Sequence, residues 1–209
     1  MRLWHCVGAR SLRPLWALEE LGMEYELEIL PFPPRMHRPE FIEENVLGTV
    51  PFFTDQIDGR QVTMTESCAI SHYLAGKADD QALLLPDHHP EYPELLNWTY
   101  HADATLTFPQ TIYLRYSALE PDENKKLVGN DYAKWFIARL RRLDAHLLNN
   151  EYLVAGRFTV ADICVGYALW LGRELGLHER YKPQTLAYLE RLAGRDGFGR
   201  ADGKGRDAV

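Results

Sequence analysis

The chain has 209 residues, of which 46% are hydrophobic and 25% charged, enough to bury the core of one large domain or two smaller ones. Its net charge is −7, and the basic residues are scattered among acids, so nucleic acid has no electrostatic footprint to meet. No apolar run is long enough to cross a bilayer and no leader pattern opens the chain, so a cytoplasmic protein with no membrane partner is expected.

Arg2 to His5 reads as a first strand, and Leu12, Leu15, Trp16 and Leu21 recur near helical spacing before Gly22, which predicts a helix over Leu12–Leu21. Tyr25 to Ile29 alternates apolar and acidic residues as a half-solvated strand does. Pro31, Pro33, Pro34 and Pro39 deny the next stretch a continuous helix, so a loop follows with at most a short helix near Pro39–Asn45. Pro51–Asp55 and Gln61–Thr65 flank Asp58-Gly59, a hairpin signal, and Ser67–Ala75 is the next helix. The order β-α-β, loop, β-β-α is that of a thioredoxin-like domain over residues 1–78.

Residues 79–92 are polar and Pro-containing and read as a linker; the adjacent His88 and His89 there have no metal-site geometry. From residue 93 to 209 only helical patterns occur, with stripes at Phe136, Leu140, Leu143, Leu147 and at Leu186, Leu189, Leu192. Pro109 should bend the longest helical pattern, Glu94–Ser117. Residues 194–209 are glycine-rich and charged and read as a mobile tail. The fold class is therefore α/β plus all-α: a thioredoxin-like domain, then a helical bundle. Cys6, Cys68 and Cys164 are widely spaced and lack metal-ligand spacing, so neither a disulfide framework nor a metal is expected.

Three segments carry more than fold. In Leu47-Gly48-Thr49-Val50-Pro51 a proline opens a strand and cannot donate to its ladder; its plainer reading is an edge-strand proline. In Thr65-Glu66-Ser67 a helix begins with free amides, a positive dipole end and a hydroxyl, a place for a carboxylate, although a serine there is more often only a cap. In Gly156-Arg157-Phe158-Thr159-Val160-Ala161-Asp162, Thr159 and Asp162 stand at capping-box spacing before an apolar helix, which gives Asp162 a structural role.

Together these segments resemble the glutathione S-transferase superfamily over nearly the whole chain, and the first turn is similar to that of its bacterial, theta- and beta-like, serine-type members. The resemblance implies a cis bond before Pro51, with the Val50 backbone pairing with the cysteinyl part of glutathione. It also implies that Ser67 receives the γ-glutamyl carboxylate and Glu66 the ammonium. His37 lies where relatives reach the glycyl carboxylate, in competition with Arg35 and Arg38.

Such an enzyme needs a donor beside the sulfur at the start of its first helix, to hold a thiolate near neutral pH. Val7-Gly8-Ala9-Arg10-Ser11 occupies that place. Ser11 is the first candidate, Arg10 the second through its N–H or guanidinium, and a simple N-cap is the plainer role for Ser11. Cys6 reads as a buried thiol. Phe108, Thr111, Tyr113, Tyr116, Tyr167 and Trp170 would form an aromatic wall for a hydrophobic electrophile. By resemblance the protein would be a homodimer in which Asp103 reaches the neighbour's glutathione. The alternatives are a glutathione-dependent isomerase, a disulfide reductase, and a non-catalytic binding module on the same fold.

Overall fold

Strands β1 (Arg2–His5) and β2 (Glu26–Ile29) are parallel and are joined through helix α1 (Leu12–Leu21). Two four-residue helices, α2 (Pro34–His37) and α3 (Phe41–Glu44), precede the hairpin of β3 (Phe52–Ile57) and β4 (Arg60–Met64). The sequence reading missed α2; Pro34 sits in its first turn, where an amide is not needed. Asp58 and Gly59 both have positive φ, 50° and 76°, the conformation a two-residue hairpin turn demands. Helix α4 (Ser67–Lys77) completes the order predicted for a thioredoxin-like domain, on a four-stranded sheet ordered β2-β1-β3-β4.

Register decides where a site can be. Trp4 pairs with Phe52, His5 with Ile29 and Phe53 with Met64, so the ends of β1, β2 and β4 and the start of β3 share one edge of the sheet. Residues 6–11, 30–33, 50–51 and 65–67 therefore emerge side by side.

The computed structural model describes residues 1–79 and 81–206 and divides the chain into two units, Met1–Leu84 with Gly194–Val209, and Leu85–Ala193. That division corrects two expectations. The predicted linker, 79–92, contains Leu83, Leu84 and Leu85, all buried, and the unit boundary falls among them; its Asp80 lies outside the described residues. The predicted mobile tail instead carries helix α11 (Asp196–Gly203), which packs on α1; positions 207–209 of that tail lie outside the described residues. Phe198 meets the Trp16 ring edge-on at 4.9 Å. Arg195 grips Glu20 with two bonds of 2.8 Å, and Arg200 and Lys204 reach Glu19 at 2.9 and 3.1 Å. A bidentate guanidinium on a carboxylate is the strong form of such a contact.

The second unit is helical: α5 (Tyr92–His101), α6 (Phe108–Leu114), α7 (Glu123–Arg139), α8 (Arg141–His146), α9 (Val160–Glu174) and α10 (Pro183–Ala193). The disturbance expected at Pro109 takes the form of a π-helical turn, Ala102–Thr107, that widens the ladder just before the proline, with Thr107 Oγ1 donating to the Ala102 carbonyl at 2.8 Å. The stripe Phe136, Leu140, Leu143, Leu147 is buried as predicted but runs across the break between α7 and α8. Asp162 caps α9: its carboxylate is fully buried and accepts from the Thr159 amide at 2.8 Å.

Candidate active site

The loop before β3 is shaped by Asn45, whose amide donates to the Thr49 carbonyl at 2.8 Å while its oxygen accepts from the Leu47 amide at 3.2 Å. Gly48 takes φ of 58°, which strains any side chain, and a Cβ there would also sit tightly against the Arg35 Cβ at 3.1 Å. The chain then enters β3 through a cis Val50–Pro51 bond. The ladder to β1 begins only at Phe52, and among the described residues neither the Val50 amide nor its carbonyl has a hydrogen-bond partner. Val50 thus offers one donor and one acceptor to a peptide laid along the sheet edge.

Next to it begins α4. Glu66 is the exposed N-cap, and its carboxylate has no partner among the described residues. Ser67 is buried, and its Oγ accepts from the Arg13 guanidinium at 2.9 Å. With that lone pair taken, the hydroxyl proton has no acceptor among the described residues and is left for an anion. Arg13, 0% exposed, adds its charge to the positive end of α4. Sequence reasoning missed Arg13; the only signal was a cation between Leu12 and Leu15, on the side of α1 that α4 covers.

The turn after β1 departs from expectation. Ser11 is 0% exposed, and its Oγ lies 2.9 Å from His5 Nδ1, 3.3 Å from the Cys6 amide and 3.5 Å from the Cys6 carbonyl. Its single proton is spent inside the protein, so the Ser11 hydroxyl is not placed to serve a sulfur. It is no helix cap either, since its backbone is already α-helical and its side chain makes no cap bond. Arg10, half-exposed on the same turn, remains the candidate. Cys6 is buried, and burial pushes its thiol up to about 12, which keeps it un-ionised and inert.

Burial also lowers His5 from 6.5 to about 4. The unfolded chain therefore takes up a proton on His5 near pH 6.5 and the native protein only near pH 4, so stability falls as pH drops through that window. The expected loss from this residue is about 3 kcal/mol. Urea unfolding at both ends of the window should show a smaller loss in His5→Asn than in the wild type; equal losses would mean that His5 is not held neutral.

Comparison with known proteins now fits this geometry. The glutathione S-transferase N-terminal domain family matches residues 1–76. Glutathione S-transferase 1 of Schizosaccharomyces pombe is 29% identical over 175 residues, covering 77% of this chain and 71% of that one. Residues 1–76 belong to the glutathione S-transferase N-terminal domain family. Elongation factor 1-gamma of Equus caballus is 30% identical over 175 residues, 79% of this chain but 37% of that protein. A sphingomonad glutathione S-transferase solved with glutathione superposes with a TM-score of 0.81 at 25% identity, covering 97% of both chains.

The rest of the predicted site divides. His37 and Arg35 are exposed on α2, whereas Arg38 is drawn off by Glu28, Glu40 and Glu44. In the helical unit Asp103 is half-buried in the π-helical turn. Phe108 and Thr111 are exposed on α6, and Tyr113 and Tyr116 are half-buried beside a cleft of 180 Å³. Tyr167 and Trp170 are 1% and 2% exposed, their rings 6.0 Å apart within α9. These two are core residues rather than the open wall that was expected, because α9 is buried on nearly every side.

Proposed function

We propose that the protein is a glutathione transferase: it binds glutathione along the edge of its sheet and directs the thiolate to the carbon of a small hydrophobic electrophile. One observation carries the reading. The unpaired backbone of Val50, the uncommitted hydroxyl proton of Ser67 and the free carboxylate of Glu66 line up on the single edge where β1 also ends. Those groups match, in order, the peptide, carboxylate and ammonium of a γ-glutamyl tripeptide. With an activated aryl chloride the thiol proton would pass to solvent, a carbon–sulfur bond would form and chloride would leave. Rate would come from orientation and from a lowered thiol pKa.

Calorimetry with glutathione, followed by turnover of chlorodinitrobenzene, tests this. Glu66→Gln should raise KM for glutathione by about ten-fold and leave kcat nearly unchanged, because the ammonium contact is the same in ground and transition states. Unchanged KM would remove Glu66 from the site, and no heat of binding would remove glutathione altogether. The reading carries two further proposals: a homodimer in which Asp103 serves the neighbouring site, and a cytoplasmic location.

The buried Ser11 hydroxyl favours a second reading, a glutathione-binding module without turnover. Binding without conjugation of any aryl or alkyl halide would select it.

A further inference from the structure

The turn between β1 and α1 hangs from one knot. Ser11 Oγ accepts the Cys6 amide proton at 3.3 Å, lies 3.5 Å from the Cys6 carbonyl, and meets His5 Nδ1 at 2.9 Å. The residue after the turn is thereby tied to both residues before it. The Ala9 amide closes the loop onto the Cys6 carbonyl at 3.1 Å, and Gly8 supplies the left-handed φ of 78° that the closure needs. His5 is 2% exposed and Ser11 0%, and the Ser11 hydroxyl is engaged by the protein itself. Ala9, in mid-turn, and Val50 pack on one buried cluster of Trp4, Cys6, Leu30, Phe41 and Phe52. A shift in the turn thus alters its distance from whatever lies along Val50.

We infer that His5 and Ser11 are positioning residues, a clasp that holds the Val7–Arg10 turn against the glutathione sulfur, so that the turn and not the Ser11 hydroxyl stabilises the thiolate. The inference rests on the transferase reading above. It follows from how steeply such chemistry depends on placement, since a shift of about 1 Å can cost about 100-fold in rate.

The test compares His5→Leu, Ser11→Ala, the double variant and His5→Asn, whose Oδ1 can stand in for Nδ1. Readouts are kcat and KM with chlorodinitrobenzene, the pKa of bound glutathione from its thiolate absorbance, and the affinity for S-methylglutathione by calorimetry. His5→Leu and Ser11→Ala should each lower kcat by about 10- to 100-fold and raise the bound thiol's pKa. Affinity for S-methylglutathione, which needs no thiolate, should stay within about two-fold. The double variant should be no worse than the worse single one, and His5→Asn should retain kcat within about three-fold. Should His5→Leu fail to fold, Ser11→Ala and His5→Asn carry the same comparison.

A fall in kcat for Ser11→Ala with none for His5→Leu would make Ser11 a direct donor and overturn the clasp. So would a parallel loss of kcat and S-methylglutathione binding, which marks a purely structural role, or wild-type turnover in every variant. Absence of glutathione binding by the wild type sinks the transferase reading itself, and the clasp with it.

Discussion

Replacing Asp162 by alanine should destabilise the protein by about 4 kcal/mol, the largest effect of any single substitution proposed for it. The carboxylate is 0% exposed and accepts four hydrogen bonds, from the Leu153 amide at 3.1 Å, the Thr159 amide at 2.8 Å, the Thr159 hydroxyl at 3.0 Å and the Tyr188 hydroxyl at 2.7 Å. Burial alone would favour the neutral acid, and the four donors oppose that. Alanine strands all of them at once in a site where water cannot replace the lost acceptor. Tyr188→Phe removes only one donor and should cost about 1 kcal/mol. Equilibrium urea unfolding of the three proteins distinguishes these values. A loss below about 1 kcal/mol for Asp162→Ala would mean that the cost of burying the charge cancels its bonds.

The second large effect is on binding. Ser67→Ala should weaken glutathione by about 10- to 100-fold, the range for a lost hydrogen bond to a charged group. Arg13→Met should do much the same through a different atom. Without the guanidinium the Ser67 oxygen is free to turn, and the positive end of α4 loses its reinforcement. Because the two residues act on one carboxylate, the double variant should bind only slightly worse than either single one. Calorimetric titration with glutathione gives all three values. Wild-type affinity in Ser67→Ala would place the γ-glutamyl carboxylate elsewhere.

Much of this was legible in the residues, and the failures have physical causes. The strands, α1 and the helix start at Ser67 followed from periodicity and turn chemistry, which are local. The place of Ser11 at the head of α1 was local too, but its burial was not. It depends on His5, which alternation along a four-residue strand cannot assign to an inside or an outside when helices cover the sheet. Arg13 was passed over because a lysine or arginine in a helix ordinarily marks its wet face, whereas α1 is covered by both α4 and α11. The tail misled for the same reason. Phe198 and its flanking arginines look like solvated chain until Trp16, Glu19 and Glu20 are placed opposite them, and those partners lie more than 170 residues away.

That last contact has a bearing on how the molecule is made. The face of α1 that carries Trp16 is covered by residues more than 170 positions later, so during synthesis Glu19 holds only Tyr25, and Glu20 only the Trp16 indole, until the helix at Asp196–Gly203 has emerged from the ribosome. A fragment cut at residue 76 or 84 would lack that cover altogether.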